Sequence, residues 1–178
     1  MYSRYPQEAV LRDGRRVLIE PFREHHADAL FAFFQRLPEG TRRLAWDRID
    51  SRALVESWAQ NIDYARAFPL LAIDGKNIVA DETVDRHDGG PLRPAGSVQG
   101  WRDEEYRGIG LGSLLVNHFI DMARVNGLRH LSCMLLSDVE DDAIAVLSDL
   151  GFRSFEIPGY GTDEDGGVHA MTPVGLEL

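Results

Sequence analysis

The chain has 178 residues, 44% of them hydrophobic, and its 29 acidic and 19 basic residues give a net charge of −10. A chain of this length can bury about 70% of the surface of its unfolded form, so a folded domain is expected and general disorder is excluded. The negative charge has the wrong sign for a phosphate-binding surface and excludes a general nucleic-acid-binding protein. No segment reaches the ~20 apolar residues of a membrane helix, and the start lacks the apolar core of a secretory signal. We therefore expect no membrane partner and a cytoplasmic location.

The first half of the chain predicts one strand and two helices. Residues 1–16 show no sustained period and are expected to form a loose N-terminal arm, with a single domain over residues 17–178. A first strand is predicted from Arg16 to Phe22. Two amphipathic helices follow, the first capped by Asp28 and the second capped by Ser51.

The second half of the chain predicts mainly strands, with two helices between the later ones. The strands are expected at residues 68–74 and 77–84 (a hairpin), at 97–101, at 130–136 and as a closing pair around a turn at 159–167, and the helices at about 110–126 and 138–150. The order β-α-α-β-β-β-α-β-α-β-β gives about seven strands. This mixture indicates one mixed sheet with helices on its faces.

The most informative segment is RGIGLG at residues 107–112, called the glycine turn below. Gly108, Gly110 and Gly112 remove Cβ atoms from a strand-to-helix turn, so the backbone N–H groups can approach an anion. A nucleotide P-loop is excluded because the chain contains no Gly-Lys-Ser or Gly-Lys-Thr. A dinucleotide fingerprint is excluded because Ser113 stands where its third glycine would be. From the glycines alone, a plain tight turn stays open as an alternative.

The glycine turn resembles the motif of the GNAT superfamily of acyl-CoA-dependent N-acyltransferases. The family pattern is Gln or Arg, two residues, Gly, one residue, and Gly or Ala, which Arg107, Gly110 and Gly112 fill. A second family element, an acidic-started helix ending in Leu-Gly-Phe, resembles Glu140 to Phe152. The resemblance implies an α/β (α+β) fold with a mixed, mainly antiparallel central sheet of about seven strands and helices on both faces.

The resemblance also implies a binding site for acetyl-CoA as cosubstrate. The N–H groups of residues 107–112 would hold the pyrophosphate, and the pantetheine arm would lie between the fourth and fifth predicted strands. Backbone N–H groups near Gly100 and Trp101 would stabilise the oxyanion. The expected cofactor-binding residues are Arg102, Arg107, Gly108, Ile109, Gly110, Leu111, Gly112 and Ser113.

Two residues that relatives use for acid-base chemistry are missing. Many relatives carry a tyrosine acid where this chain has Leu147, and protein-lysine acetyltransferases often carry a glutamate base where this chain has Gly96 and Ser97. These departures leave the proton transfers without their usual groups.

Replacement bases are offered by Asp81 or Glu82 on the third predicted strand, or by Asp103 and Glu104 after the fourth. Alternation along a strand places Asp81 and Glu82 on opposite faces, so at most one can point into a cleft. We favour Glu82 as the catalytic base. The competing interpretation for each residue is a solvated carboxylate at a strand end.

Metal and cysteine chemistry are not expected. His25, His26 and Asp28 lie together in sequence, but no further group at ligand spacing supports a metal site. Cys133 stands alone in an apolar run, which is typical of a small buried thiol.

The sequence therefore predicts an N-acetyltransferase that moves an acetyl group from acetyl-CoA to a primary amine by direct transfer. The alternative is a non-catalytic acyl-CoA-binding sensor or interaction domain, because both usual acid-base residues are missing. A cationic acceptor is expected, whether a protein lysine, a polyamine or a small basic metabolite, and a homodimer stays open. The expected charge near the cleft comes from Asp81, Glu82, Asp85, Asp88, Asp103, Glu104 and Glu105.

Overall fold

The computed structural model describes residues 2–43, 45, 47–87, 89–137, 140–154, 157–162 and 166–178. Asp88, one of the acidic residues expected near the cleft, lies outside them. The strands of the described part are β1 (Gln7–Val10), β2 (Arg16–Pro21), β3 (Ala67–Asp74), β4 (Asn77–Arg86), β5 (Ala95–Arg102), β6 (His130–Leu136), β7 (Arg153–Ser154), β8 (Ile157–Thr162) and β9 (Val168–Glu177). The α-helices are α1 (Ala27–Arg36), α2 (Glu39–Arg43), α3 (Arg52–Gln60), α4 (Leu111–Val125) and α5 (Asp141–Asp149).

The strands form a mixed, mainly antiparallel sheet. Their order is β1-β2-β3-β4-β5-β6-β9-β7, and β8 pairs with β9. β5 and β6 pair in parallel, whereas the pairs β1–β2, β2–β3, β6–β9, β7–β9 and β8–β9 are antiparallel. The predicted fold class is confirmed, with nine strands in the described residues instead of about seven. The chain divides into two compact units, Met1–Thr83 with Gly100–Leu111 and Val84–Gln99 with Gly112–Leu178.

The N-terminal segment of the first unit contains a strand, β1, where a loose arm was expected over residues 1–16. β1 pairs with β2 along its whole length, from Gln7 opposite Ile19 to Val10 opposite Arg16. β1 has four residues and only alternates between half-buried and exposed. Its backbone hydrogen bonds to β2 hold it in place, and a strand this short and polar gives almost no periodic signal.

The helices of the first unit pack an aromatic core. Leu30, Phe33 and Phe34 of α1 are at most 1% exposed. The Phe34 ring meets Trp58 of α3 edge-on at 6.3 Å and Trp101 of β5 at 5.5 Å. This cluster joins the helices to the strand that carries Gly100 and Arg102 at its end.

Helix starts differ in detail from the sequence prediction. Ser51 caps α3 as predicted, since its side chain accepts the N–H of Leu54 at 3.4 Å. α1 begins at Ala27 because a 3-10 turn at Glu24–His26 leads directly into it, so Asp28 lies in its first turn. The short helix α2 was not predicted. Its start is marked by Pro38, whose carbonyl accepts the N–H of Arg42 at 3.0 Å.

The second unit is built around β6 and β9. They pair over seven residues, from His130 opposite Glu177 to Leu136 opposite Met171. The expected closing pair is three strands, because β7 and β8 both pair with β9 and the β8 register shifts between Ile157 and Gly161. The buried face of α4 includes Leu115, Phe119, Met122 and Ala123. No helix in the described residues is both long and apolar enough to cross a membrane.

Candidate active site

The glycine turn follows a 3-10 turn at Glu104–Tyr106 and leads directly into α4. Gly108 has φ +71° and Gly110 has φ +95°, a left-handed region in which side chains with a Cβ are strained. Within the described part of the chain, the N–H groups of residues 108–110 donate to no backbone carbonyl. The first N–H groups of α4 also lack helical partners. The turn therefore presents a row of free donors at the positive end of a helix, where an anion is stabilised.

The turn is anchored from the segment just before it. The Tyr106 hydroxyl donates to Asp74 Oδ2 at 2.6 Å, and burial raises the pKa of Tyr106. Arg15 Nη2 donates to the Glu105 carbonyl at 2.6 Å, and its guanidinium lies 4.1 Å from the centre of the Tyr106 ring. Sequence reasoning missed these anchors, because nothing in the local pattern of Arg15 or Asp74 indicates a contact with a distant turn.

Glu82 is the buried carboxyl of the first unit that best fits a base. It is 5% exposed, and its Oε1 accepts a hydrogen bond from Arg102 Nη1 at 3.0 Å. Burial raises its pKa from 4.5 to about 7, and the positive charge of Arg102 limits that rise. A carboxyl with this pKa can both take and release a proton near neutral pH.

The interpretation of Asp81 and Glu82 as solvated carboxylates is wrong, since both are 5% exposed. β4 is covered along its middle, and five consecutive residues from Ile78 to Glu82 are buried. The sequence prediction placed both carboxylates near the end of a strand, where they would be solvated. β4 continues to Arg86, so both lie in its buried middle. Of the other candidates, Asp103 pairs with Arg36 at 3.2 Å and Glu104 is exposed.

Gly100 of β5 lies directly against β4, with no room for a side chain. A Cβ built on Gly100 would lie 2.6 Å from the Asp81 carbonyl oxygen and would overlap Cγ of Glu82. Any side chain at this position would displace the Glu82 carboxyl or the β4 backbone. Glycine at position 100 therefore holds Glu82 against the end of β5, beside Arg102.

In the second unit, β5 and β6 stop pairing part-way along. Their parallel register runs from Ala95 opposite His130 to Ser97 opposite Ser132, although both strands continue beyond it. A pair of neighbouring strands that lose their hydrogen bonds leaves backbone groups of both free to bind an extended ligand. Cys133 follows Ser132, the last residue of β6 that pairs with β5, and it is half-buried rather than fully buried as predicted.

The positions where the usual acid and base are missing have local explanations. A Cβ on Gly96 would lie 2.7 Å from Val84 Cγ1 and 3.0 Å from Leu128 Cδ1, which leaves no room for a glutamate. Leu147 is a buried core residue, 8% exposed.

His26, one of the residues considered for a metal site, is buried, and its Nδ1 accepts a hydrogen bond from the Arg23 N–H at 3.0 Å. Among the described residues, no three His, Cys, Asp or Glu side chains are grouped to hold a metal.

The sequence predictions for the cofactor site fall on two places in the structure. Arg107, Gly108, Ile109, Gly110, Leu111, Gly112 and Ser113 form the glycine turn and the first residues of α4. Arg102 instead pairs with Glu82, and its side chain is 27% exposed.

Comparison with known proteins identifies the family. Residues 98–152, which contain the glycine turn, match the Acetyltransferase (GNAT) family. An acetyltransferase of Pseudomonas aeruginosa is 31% identical over 131 residues, which are 68% of this chain and 67% of that protein. The chain belongs to the GNAT family of acetyltransferases. It is an N-acetyltransferase of a family that uses acetyl-CoA, and neither match favours the non-catalytic alternative.

Solved structures share the GNAT fold over nearly the whole chain. The GNAT domain of PAT from S. lividans has a TM-score of 0.79 at 21% identity and covers 99% of this chain and 98% of its own. RimJ of Mycobacterium smegmatis, solved in complex with CoA-disulfide, has a TM-score of 0.75 at 16% identity and covers 100% of this chain and 90% of its own. At this identity the likeness concerns the fold alone.

Proposed function

We propose that this GNAT enzyme transfers an acetyl group from acetyl-CoA directly to a cationic primary amine, with the glycine turn as cofactor site and Glu82 as base. The observation that carries the proposal is the glycine turn itself. Its two positive-φ glycines and free N–H groups precede α4, inside the segment that matches the family. RimJ, which shares the fold, was solved in complex with CoA-disulfide, and this supports acetyl-CoA as the cosubstrate proposed here.

The expected cofactor contacts follow from the geometry of the turn. The free N–H groups of residues 108–110 and of the first turn of α4, up to Ser113, would donate to diphosphate oxygens. Arg107 is exposed and forms no ion pair among the described residues, so its charge is open to the same anion. Within the second unit, the residues of β5 and β6 that lie just beyond their last pair would take the pantetheine arm as an additional strand.

The transfer requires two proton movements at the amine. A cationic amine must lose one proton before its nitrogen can bond to the acetyl carbon, and it loses a second as the amide forms. The carbon–sulfur bond breaks, the sulfur leaves with its electron pair, and it takes one proton to become the free thiol. One proton is released overall. A base with a pKa near 7 is suited to the first step, because it is ionised in part and still accepts a proton readily.

Glu82 is the group to which we assign this role. Its pKa of about 7 results from burial, and its hydrogen bond to Arg102 Nη1 fixes one carboxyl oxygen and leaves the other available. Gly100 and Trp101, on the strand beside it, are the expected source of backbone N–H groups for the oxyanion.

The acceptor is proposed to be cationic because the protein carries a net charge of −10. Pairing moderates the local charge, since Arg36 balances Asp103 and Arg102 balances Glu82. Glu104, next to the glycine turn, is exposed and keeps its charge open to an approaching amine. A lysine side chain, a polyamine and a small basic metabolite all satisfy this requirement.

The test is an acceptor screen that reads CoA release from acetyl-CoA with lysine peptides, polyamines, and neutral and acidic amino acids. We expect release with cationic amines, and a preference that weakens as salt rises, because exposed charges are screened. A preference for acidic amino acids would refute the cationic acceptor. No release with any amine would refute the catalytic assignment.

A glycine variant tests the cofactor site separately. Gly110→Val should abolish CoA binding measured by calorimetry, because valine is strained at φ +95° and its Cβ would press on the side chain of Arg12 beside the turn. The matched control is Gly89→Val, where no atom lies within 4 Å of an added Cβ and φ is not positive. Equal CoA affinity of Gly110→Val and wild type would remove the glycine turn as the cofactor site.

A further inference from the structure

The loop between β1 and β2 packs against the glycine turn from a distant part of the sequence. This hairpin tip, residues 11–15, is closed by hydrogen bonds from Leu11 N to the Arg15 carbonyl at 2.8 Å and from Gly14 N to the Leu11 carbonyl at 3.0 Å. Arg12 N donates to the carbonyl of Ile109 at 3.0 Å, which ties the tip directly to the turn.

The side chain of Arg12 lies over Gly110. A Cβ on Gly110 would lie 3.3 Å from Arg12 Nε and 3.4 Å from its Cγ. The guanidinium of Arg12 is thereby held beside the glycine whose positive φ shapes the turn. The backbone hydrogen bond to Ile109 fixes the main chain of Arg12, and its side chain packs beside Gly110. The positive charge of Arg12 therefore lies at the glycine turn.

Arg12, like Arg107 of the glycine turn itself, has no ion-pair partner among the described residues, whereas two other arginines near the turn are paired. Arg15 is paired with Asp13 at 2.6 Å, and Arg102 is paired with Glu82 at 3.0 Å. Arg12 is exposed and forms no ion pair with any of the described residues. In a protein with a net charge of −10, a cation left open beside free N–H donors is best explained by an anionic ligand.

We propose that Arg12 is a diphosphate-binding residue of the CoA site, supplied by the β1–β2 hairpin. This inference rests on the proposed cofactor site at the glycine turn. Arg12 has the planar fork of donors that suits phosphate oxygens, and it lies at the turn where the diphosphate is expected. It would act by binding alone, so the KM for acetyl-CoA would depend on it and kcat would not.

The experiment compares CoA binding by wild type, Arg12→Ala, Arg12→Gln and Arg12→Lys, with Arg16→Ala as the matched control. Arg16 is an exposed arginine on β2, and its removal changes the net charge equally. We expect Arg12→Ala and Arg12→Gln to bind CoA about tenfold more weakly at low salt, the effect of one charge-assisted hydrogen bond at an exposed site. Arg12→Lys should recover part of the affinity, and Arg16→Ala should match wild type. Thermal unfolding checks that each variant is folded.

The ligand and the salt concentration separate the contact from other roles of Arg12. Dephospho-CoA lacks the 3′-phosphate and keeps the diphosphate, so the loss in Arg12→Ala should be the same for CoA and dephospho-CoA, and it should shrink as salt rises. A loss that disappears with dephospho-CoA would overturn the diphosphate assignment. Wild-type affinity in Arg12→Gln would mean that only the aliphatic part of the Arg12 side chain matters, and it would overturn the proposed contact of its guanidinium with the diphosphate. Failure of wild type to bind CoA would refute the proposed cofactor site and this inference together, whereas binding by wild type with no effect of Arg12→Ala refutes the inference alone.

Discussion

Replacing Glu82 with glutamine tests both the energetic and the catalytic consequence of burying this carboxyl. The side chain is 5% exposed, and its pKa rises on folding from 4.5 to about 7. The difference between 4.5 and about 7, at 1.36 kcal/mol per pKa unit, corresponds to about 3 kcal/mol. Glutamine has the same shape and can still accept a hydrogen bond from Arg102, but it cannot ionise.

The sign of the effect follows from which state holds the proton more tightly. The folded protein has the higher pKa, so protonated Glu82 contributes stability that is complete below about pH 4.5 and is lost as the pH rises through about 7. We expect the free energy of unfolding of wild type to fall by up to about 3 kcal/mol relative to Glu82→Gln between about pH 5 and about pH 8. Urea unfolding across this range measures the difference. Glu104→Gln, the same change at an exposed residue, is the control.

The same residue predicts the pH dependence of activity. If Glu82 is the base, kcat/KM should rise with pH through about 7, and Glu82→Gln should lose this limb together with about 10²- to 10⁴-fold in kcat. Arg102→Met removes the charge that limits the pKa, so the limb should move to higher pH. Parallel stability curves for wild type and Glu82→Gln, or an unshifted limb in Arg102→Met, would refute the reasoning. Wild-type kcat in Glu82→Gln would refute the catalytic role alone.

Two further predictions concern packing and a buried histidine. Gly100→Ala should destabilise the protein by about 1–3 kcal/mol in urea unfolding, because the added methyl overlaps Glu82. The control is Gly40→Ala on α2, which should not destabilise the protein because no atom lies within 4 Å of an added Cβ. Equal effects of the two variants would contradict this account. Burial, followed by the charge of His25, lowers the pKa of His26 below 6.5, so wild type should lose stability as the pH falls below about 6.5. His26→Gln should lose less over that range, and an identical decline in both would exclude His26 as the cause.

The sequence by itself determined the parts of this protein that depend on short-range chemistry. Glycines at positions 108, 110 and 112 after a strand and before an apolar helical period indicated the turn, because only particular residues fit such a backbone. Ser51 identified the start of α3 for the same local reason. Order and type of the long elements followed from periodicity, which is why the mixed sheet was predicted and the four-residue β1 was not.

Only the tertiary structure decided which charged groups are buried and which distant residues meet. Glu82 and Asp81 look alike in the sequence of β4, and their burial comes from neighbours such as Gly100 on another strand. Arg12 reaches Gly110 because β1 and β2 form a hairpin whose tip lies at the turn. Burial and proximity of this kind arise from packing between segments far apart in the chain, and no local pattern of residue types contains that information.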